Sequence, residues 1–557
     1  MGIPSYFSYI IKNHSNIIST LHFHKHISRT AFTSLYMDCN SIIYDSFHKL
    51  EQGDNYLSMS VIEIENAIID MVILGIQKYI SYINPSGYLF IAFDGVAPFA
   101  KMEQQRTRRY KSSYLSTITG ESTISTKWNT SAITPGTDFM NKLSEMVQLA
   151  FYKQECNYGV KQIIISGSTE NGEGEHKMYE HLRKTSIDTD TIAIYGLDSD
   201  LIMLSIFHSI YCKNIFIFRE APSFGDFAAN NKTKDLRKHS INKPQYNQQP
   251  ATDFEVPLFL NVDKLMRSIF MEMDLGNVYD KHRVFDYVFI CFFLGNDFLP
   301  HFPALNIRTH GIQVLLDTYR KCFGAMSQNK YLIDHNTKNI YWKNLHLFIK
   351  ELAKNEHILL LQEYKTREKW DNKYWPDTTE KERTELVNNT PVIFRAEEKY
   401  ICPTELNWEG RYYATLFGNN IDDSYIKNIC VNYLEGLEWV YKYYTNGCPH
   451  WRWKYNYHYP PLLSDLILYV PQYEKEFISQ NDFKAFPAVV QLSYVLPPEQ
   501  FYLLPVYIRT YLLEKYNTYY TNSMTFQWAF CRYFWESHNT NKPLDIHILG
   551  DLEDRFS

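Results

Sequence analysis

The sequence predicts an α/β fold: a mostly parallel central sheet flanked by helices, followed by an α-rich C-terminal region. Three observations carry that expectation. Short apolar runs rich in β-branched and aromatic residues recur through the first 220 residues, and such runs read as strands buried on both faces of a parallel sheet. Segments with helical spacing alternate with them, the signature of βαβ units. Beyond residue 390 the alternation stops and the chain becomes Tyr-, Trp- and Pro-rich.

The first run is SLYMD, which ends on Asp38. A helical segment over 59–82 follows, and then YLFIAFD, which ends on Asp94. A helix over 137–152 leads to QIIISG, with Glu173 and Glu175 just beyond it. A helix over 174–184 leads to IAIYGL, followed by Asp198, Asp200 and a helix over 200–209. From 220 to 256 the composition turns polar, rich in Asn, Lys, Gln and Pro, and reads as a surface insertion. A fifth apolar run, YVFICFFLGND, ends on Asp297 and is read with an apolar helix over 284–294. Long charged helices are expected over 343–388, carrying Trp370 and Trp375. The expected division is a domain over 1–342, a helical connector over 343–400, and an aromatic-rich unit over 401–557 that packs on the first.

Composition narrows the class. A length of 557 residues allows about three or four domain-sized units, or one large α/β domain with insertions. Aromatics reach 16%, led by 44 Tyr, and the abundance of Tyr, Asn, Ile and Lys fits an AT-rich genome. No apolar stretch reaches the roughly 20 residues of a membrane span. MGIPSYF has neither a basic n-region nor an apolar h-region, so no secretory leader is expected. Gly2 invites myristoylation, but Tyr6 stands where Ser or Thr is required. The 9 cysteines form no CxxC pair, which argues against zinc and against a disulfide framework, and an intracellular protein is expected. The net charge of −6 does not advertise a nucleic-acid binder.

The acids at the ends of these runs carry the chemistry. In an open α/β sheet, ligands sit beyond the carboxyl ends of the strands. Asp38, Asp94, Glu173, Glu175, Asp198, Asp200 and Asp297 gathered there would repel one another unless a cation sits among them. Any one acid in such a place is more often an N-cap or a turn residue. Five element ends that all carry acids are much less readily explained that way. Two divalent ions about 4 Å apart need five to seven carboxylates, and hard oxygen ligands suit Mg²⁺ or Mn²⁺. A basic stripe accompanies them. In FDGVAPFAKMEQQRTRRYKSS, Lys101, Gln105, Arg108 and Arg109 recur at helical spacing, so they share one face. Arg and Gln hydrogen-bond phosphate oxygens, and the stripe begins seven residues after Asp94.

Read together, these motifs resemble the XRN family of 5′→3′ exoribonucleases. The resemblance rests on MGIPSYF, LYMDCNSIIY, FDGVAPFAKMEQQRTRRYKSS, ITPGTDFM, SGSTENGEGEHKMYEHLR, YGLDSDLIML and FLGNDFLPHFP, in the family's order over most of residues 1–310. YLEGLEWVYKYYTNGCPHWRWKYNYHYPPLLSDL looks like the family's second conserved region, at about 430–470. The resemblance implies a PIN- or flap-nuclease-like catalytic domain over 1–342, and a short member whose size and AT-rich flavour suit a large DNA virus or a parasite. It also implies that the seven acids hold two Mg²⁺ ions, with Mn²⁺ able to substitute, and that Lys101, Gln105, Arg108 and Arg109 receive a 5′-monophosphate. Family members stack the first base between a His and a Trp. Here the His position is Tyr44, and the Trp partner is Trp451 or Trp453.

The implied reaction is hydrolysis of 5′-monophosphorylated single-stranded RNA to nucleoside 5′-monophosphates by a monomer in the cytoplasm, the nucleus not being excluded, with a decapping machinery as the expected partner. Two rival readings stay open: a structure-specific DNA flap nuclease, and an RNA-binding scaffold with weak catalysis. Against the first, Asp297 is followed by FLPHFPALNIRTHGIQ, which lacks the glycine pattern of a helix-hairpin-helix. Against the second, all seven acids are present.

Overall fold

The computed structural model describes residues 2–20, 32–119, 128–185, 187–196, 198–220, 257–276, 278–324, 330–334, 337–418, 421–479, 483–520 and 523–556. All but the first residue of the polar insertion expected over 220–256 lies outside them.

The centre is a seven-stranded sheet in the order β1-β7-β6-β5-β2-β3-β4. Its strands are β1 (Ile18–Thr20), β2 (Ser34–Asp38), β3 (Tyr88–Ala92), β4 (Gln162–Ser166), β5 (Ile187–Tyr195), β6 (Cys212–Arg219) and β7 (Leu258–Asn261). Strands β2 to β6 pair in parallel. Of these, β2 to β5 are the first four apolar runs, and β6 is not among the runs singled out. The fifth run, YVFICFFLGND, is no strand but the end of the helix Lys281–Cys291 and the turn Phe292–Leu294. Two short antiparallel strands, β7 beside β6 and β1 beyond it, close one edge. Neither is foreseeable from the sequence, because three or four residues are too few to show a period.

Both faces of the sheet are buried, so its strands are apolar throughout rather than alternating. Leu35, Met37, Leu89 and Ile91 pack into the cluster on one face. Tyr36, Phe90, Ile192 and Ile194 pack into the other. That second cluster continues through Tyr287, Trp342, Trp439 and Ile478, so the C-terminal part of the chain shares a core with the sheet.

The helices that position the site are α1 (Asn40–Glu51), α2 (Val61–Ile83), α3 (Phe99–Thr119), α4 (Asp138–Phe151), α5 (Gly174–Thr185), α6 (Asp200–His208), α7 (Lys281–Cys291) and α8 (Asp423–Asn446). Those expected from spacing fall within a few residues of their predicted limits. Helix α2 starts at Ser60, whose side chain forms a capping box with Glu63. In α7 every residue from Arg283 to Cys291 is buried, which is why its run carries no amphipathic stripe. The expected 343–388 region forms three helices, Trp342–Ala353, Glu356–Glu368 and Glu380–Asn388. Trp370 and Trp375 lie between the second and third of these, their rings stacked 6.0 Å apart.

Candidate active site

Topology brings the acids together. From β2 the chain steps to β3 and β4 on one side, then returns to place β5 and β6 on the other. The reversal opens a crevice at the carboxyl ends of β2 and β5, the usual ligand position in such sheets. Asp38 closes β2 there, and Asp198 follows β5 by three residues. Asp94 lies two residues past β3, Glu173 and Glu175 flank the first residue of α5, and Asp200 is the first residue of α6. Asp297 reaches the same edge from the turn after α7, where Gly295 takes the left-handed region at φ 80°.

Helix starts and close backbone approach hold these carboxylates. The Gly174 N–H donates to Asp94 Oδ1 at 2.7 Å. Asn40 donates its amide to the other oxygen of Asp94 and accepts from the Asp94 N–H at 3.1 Å. A Cβ on Gly174 would stand 2.8 Å from Asp38 Oδ1, and one on Gly2 would overlap the Asp200 carboxylate. At both points only glycine lets the chain come so close.

The electrostatics report one connected cluster. Burial raises the Asp38 carboxyl well above the carboxylate range, and repulsion from Asp94 and Asp198 adds to it. Glu175 is raised in the same way, by burial and then by Asp200 and Glu173. Burial pushes Asp200 up to about 7, with Asp297 contributing. Lys101 offsets part of this charge: its ammonium lies 2.5 Å from Glu173 Oε2 and 2.7 Å from Asp297 Oδ2. Burial alone would raise Asp297, but Lys101 overrides it and holds this carboxyl well below its usual range.

The residues fit divalent ions. Glu175 Oε2 and Asp200 Oδ1 are buried without a hydrogen-bond partner, an expensive condition unless a cation satisfies them. Carboxylate oxygens make a hard donor set, suited to Mg²⁺ or Mn²⁺ rather than zinc. One tight group joins Glu173, Glu175 and His176. The His176 ring, however, is stacked 3.6 Å from Tyr443, which marks it as packing rather than a free ligand.

The basic face of α3 divides. Lys101 sits among the acids rather than in line with its neighbours. Arg108 is exposed. Arg109 donates to the Ile133 carbonyl at 3.4 Å and to the Thr134 hydroxyl. Burial pushes Arg109 down to about 10, opposed by Tyr44 and Asp94, so Tyr44 lies beside a cation at the acid edge. Gln105 Oε1 and Arg109 Nε are buried and unpaired. A cavity of about 230 Å³ adjoins Asp297 and Gly2, with Gln104 and Arg108 on one wall and His458 and Trp535 on another.

The two tryptophans differ. Trp453 is buried, its ring stacked 5.4 Å from Trp439 and its N–H donated to Glu435 at 3.2 Å. Trp451 is partly exposed, and its carbonyl accepts from the Phe99 N–H at 2.9 Å, at the start of α3. Not foreseen from the sequence are Asn40, His176, Tyr443 and Lys177, whose ammonium donates to the carbonyls of Phe93 at 2.9 Å and Gly167 at 2.8 Å, beside Asp94. All four lie within the quoted motifs, but nothing in the local pattern sets them apart from their neighbours. Tyr443 is 270 residues from the Glu173 it touches, and no local pattern points to it.

The family model described as "XRN 5'-3' exonuclease N-terminus" matches residues 1–221. The model described as "Xrn1 helical domain" matches 278–405 and 396–523. The chain is 26% identical to 5′-3′ exoribonuclease 1 of Schizosaccharomyces pombe, over 92% of this chain and 45% of that protein. It is 31% identical to 5′-3′ exoribonuclease 2 of Kluyveromyces lactis, over 59% of this chain and 38% of that one. With the human 5′-3′ exoribonuclease 1 it shares 27% identity, over 91% of this chain and 31% of the human protein. The chain thus spans less than half the length of each of these three relatives.

Proposed function

The chain belongs to the XRN 5′-3′ exonuclease family, and from that premise we propose that it is itself a 5′→3′ exoribonuclease, hydrolysing 5′-monophosphorylated single-stranded RNA to nucleoside 5′-monophosphates. The observation that carries the proposal is the gathering of seven carboxylates at one sheet edge beside the basic face of α3. Asp38, Asp94, Glu173, Glu175, Asp198, Asp200 and Asp297 would hold two Mg²⁺ ions. When bound, these supply the positive charge that activates water and stabilises the leaving 3′-oxygen.

The chain's own groups do the rest. Arg108 and Arg109, with Gln105 on the same helix, grip the terminal phosphate through charge-assisted hydrogen bonds. Tyr44, beside Arg109, offers an aromatic face to the first base, and Trp451 is the partner we favour on the other side. A pocket of limited size around a monophosphate excludes a cap or a triphosphate. A decapping activity is therefore the class of reaction that supplies the substrate, and a monomer acting in the cytoplasm is the setting proposed. No helix among the described residues is long and apolar enough to cross a membrane.

The test compares RNAs that carry 5′-monophosphate, 5′-triphosphate or 5′-hydroxyl ends, and a single-stranded DNA, each with Mg²⁺ and with chelator. We expect mononucleotide release from the 5′-monophosphate RNA alone, abolished by chelator and by Asp200→Ala. Equal turnover of all four substrates, or undiminished activity in chelator, would overturn the reading.

A further inference from the structure

Helix α8 reaches across the molecule and touches the acid cluster from behind. The Tyr443 hydroxyl donates to Glu173 Oε1 at 2.7 Å, in a fully buried hydrogen bond. The other oxygen of Glu173 is held by Lys101 at 2.5 Å, so this carboxylate is clamped at both ends, by α8 and by α3. The Tyr443 ring also braces the two segments that carry the neighbouring acids. It stacks 3.6 Å from His176, the residue after Glu175, and meets the edge of Phe298, the residue after Asp297, at 5.4 Å. Trp439, one turn earlier on α8, stacks 4.7 Å behind it. The next residue, Tyr444, lies in electrostatic contact with Asp200, Glu175 and Asp297.

Contacts of this kind orient metal ligands. A carboxylate free to rotate must lose that freedom when it coordinates, and a group that already holds one of its oxygens removes the cost in advance. We infer that Tyr443 is a positioning residue for the metal-binding carboxylates: its hydroxyl fixes Glu173, and its ring sets the spacing between the Glu173–Glu175 and Asp297 segments. The aromatic unit of the C-terminal half is then part of the cation site, although it supplies no ligand. This inference rests on the proposed metal-dependent nuclease.

Tyr443→Phe deletes the hydroxyl and keeps the ring contacts, whereas Tyr443→Leu deletes both. The measurements are Mn²⁺ binding by calorimetry, kcat as a function of Mg²⁺ concentration, and the Tm of the metal-free protein. Tyr443→Phe should weaken Mn²⁺ binding about 10- to 100-fold. It should lower the metal-free Tm by no more than the loss of one buried hydrogen bond, less than Tyr443→Leu does, and recover much of kcat at high Mg²⁺. Tyr443→Leu should lower the metal-free Tm as well. A Tyr443→Phe isotherm superimposable on that of the unmodified protein overturns the inference, as does a loss of Tm without a change in binding. If the unmodified protein binds no Mn²⁺ and releases no mononucleotide, the proposed function itself fails, a result separable from the first two.

Discussion

Trp451 and Trp453 stand two residues apart and were equivalent candidates in the sequence, yet their surroundings demand opposite behaviour. Trp453 fills a buried stack against Trp439, so Trp453→Ala should cost about 3–5 kcal/mol of stability, read as a shift in the urea midpoint. Trp451 is partly exposed at the mouth of α3, and Trp451→Ala should raise KM for RNA with little change in that midpoint. The reverse pattern would reassign the base-stacking role. Arg108 is exposed on the same helix. Losing one charge-assisted hydrogen bond of about 1.5–3 kcal/mol should raise KM for 5′-monophosphate RNA by roughly 10- to 100-fold in Arg108→Ala, and narrow its preference over 5′-hydroxyl RNA. Unchanged discrimination in competition assays would remove Arg108 from the phosphate site. The seven acids were legible in the sequence because each follows an apolar run or opens a helix. The position of Lys101 was not, since spacing alone sets it in line with Arg108 and hides its contact with Asp297.

Two elements carry the site and both work on two faces. On α3, the side turned from the acids is tied to the C-terminal unit. Glu103 pairs with Lys454 at 2.6 Å, Arg106 donates to the Asn541 carbonyl at 3.1 Å, and Lys111 donates to the carbonyls of Ser537 and Trp535. The cation-rich motif therefore combines phosphate-facing and docking residues, which the sequence presents as one undivided charge run. On α8, Gly436 meets the loop after Asp297, and a Cβ there would press on Leu299 and on the Trp453 ring. Overpacking of this sort costs about 1–3 kcal/mol, and Gly436→Val should also lower kcat by displacing the loop that carries Asp297. Structure and turnover can be separated by comparing its Tm with its Mg²⁺ requirement. A variant that loses stability but keeps the normal metal requirement would show that the loop is not coupled to α8.

At the scale of the whole molecule, the acid cluster sets stability against function. Without metal, Asp38, Glu175 and Asp200 hold protons more tightly in the folded state than in the unfolded one, chiefly because burial penalises their charge. A folded state that binds more protons gains stability as pH falls. The contribution is fully present below the unfolded carboxylate value of about 4; the Asp200 share is lost as pH rises through about 7, and the Asp38 and Glu175 shares as pH rises through their own raised values. Chelator should therefore lower Tm markedly at pH 8, and the gap between metal-loaded and metal-free protein should narrow by pH 5. A gap independent of pH would mean that the carboxylates do not carry it. The sequence by itself determined the parallel strands β2 to β5 and the acids that close strands or open helices, because each is written in a short local pattern of burial and charge. Only the tertiary structure decided that β2 is the point of reversal, that Lys101 lies among the acids, and that Tyr443 braces them from 270 residues away. Those contacts arise when elements far apart in sequence bury their faces together, and no local period encodes which side chains then meet.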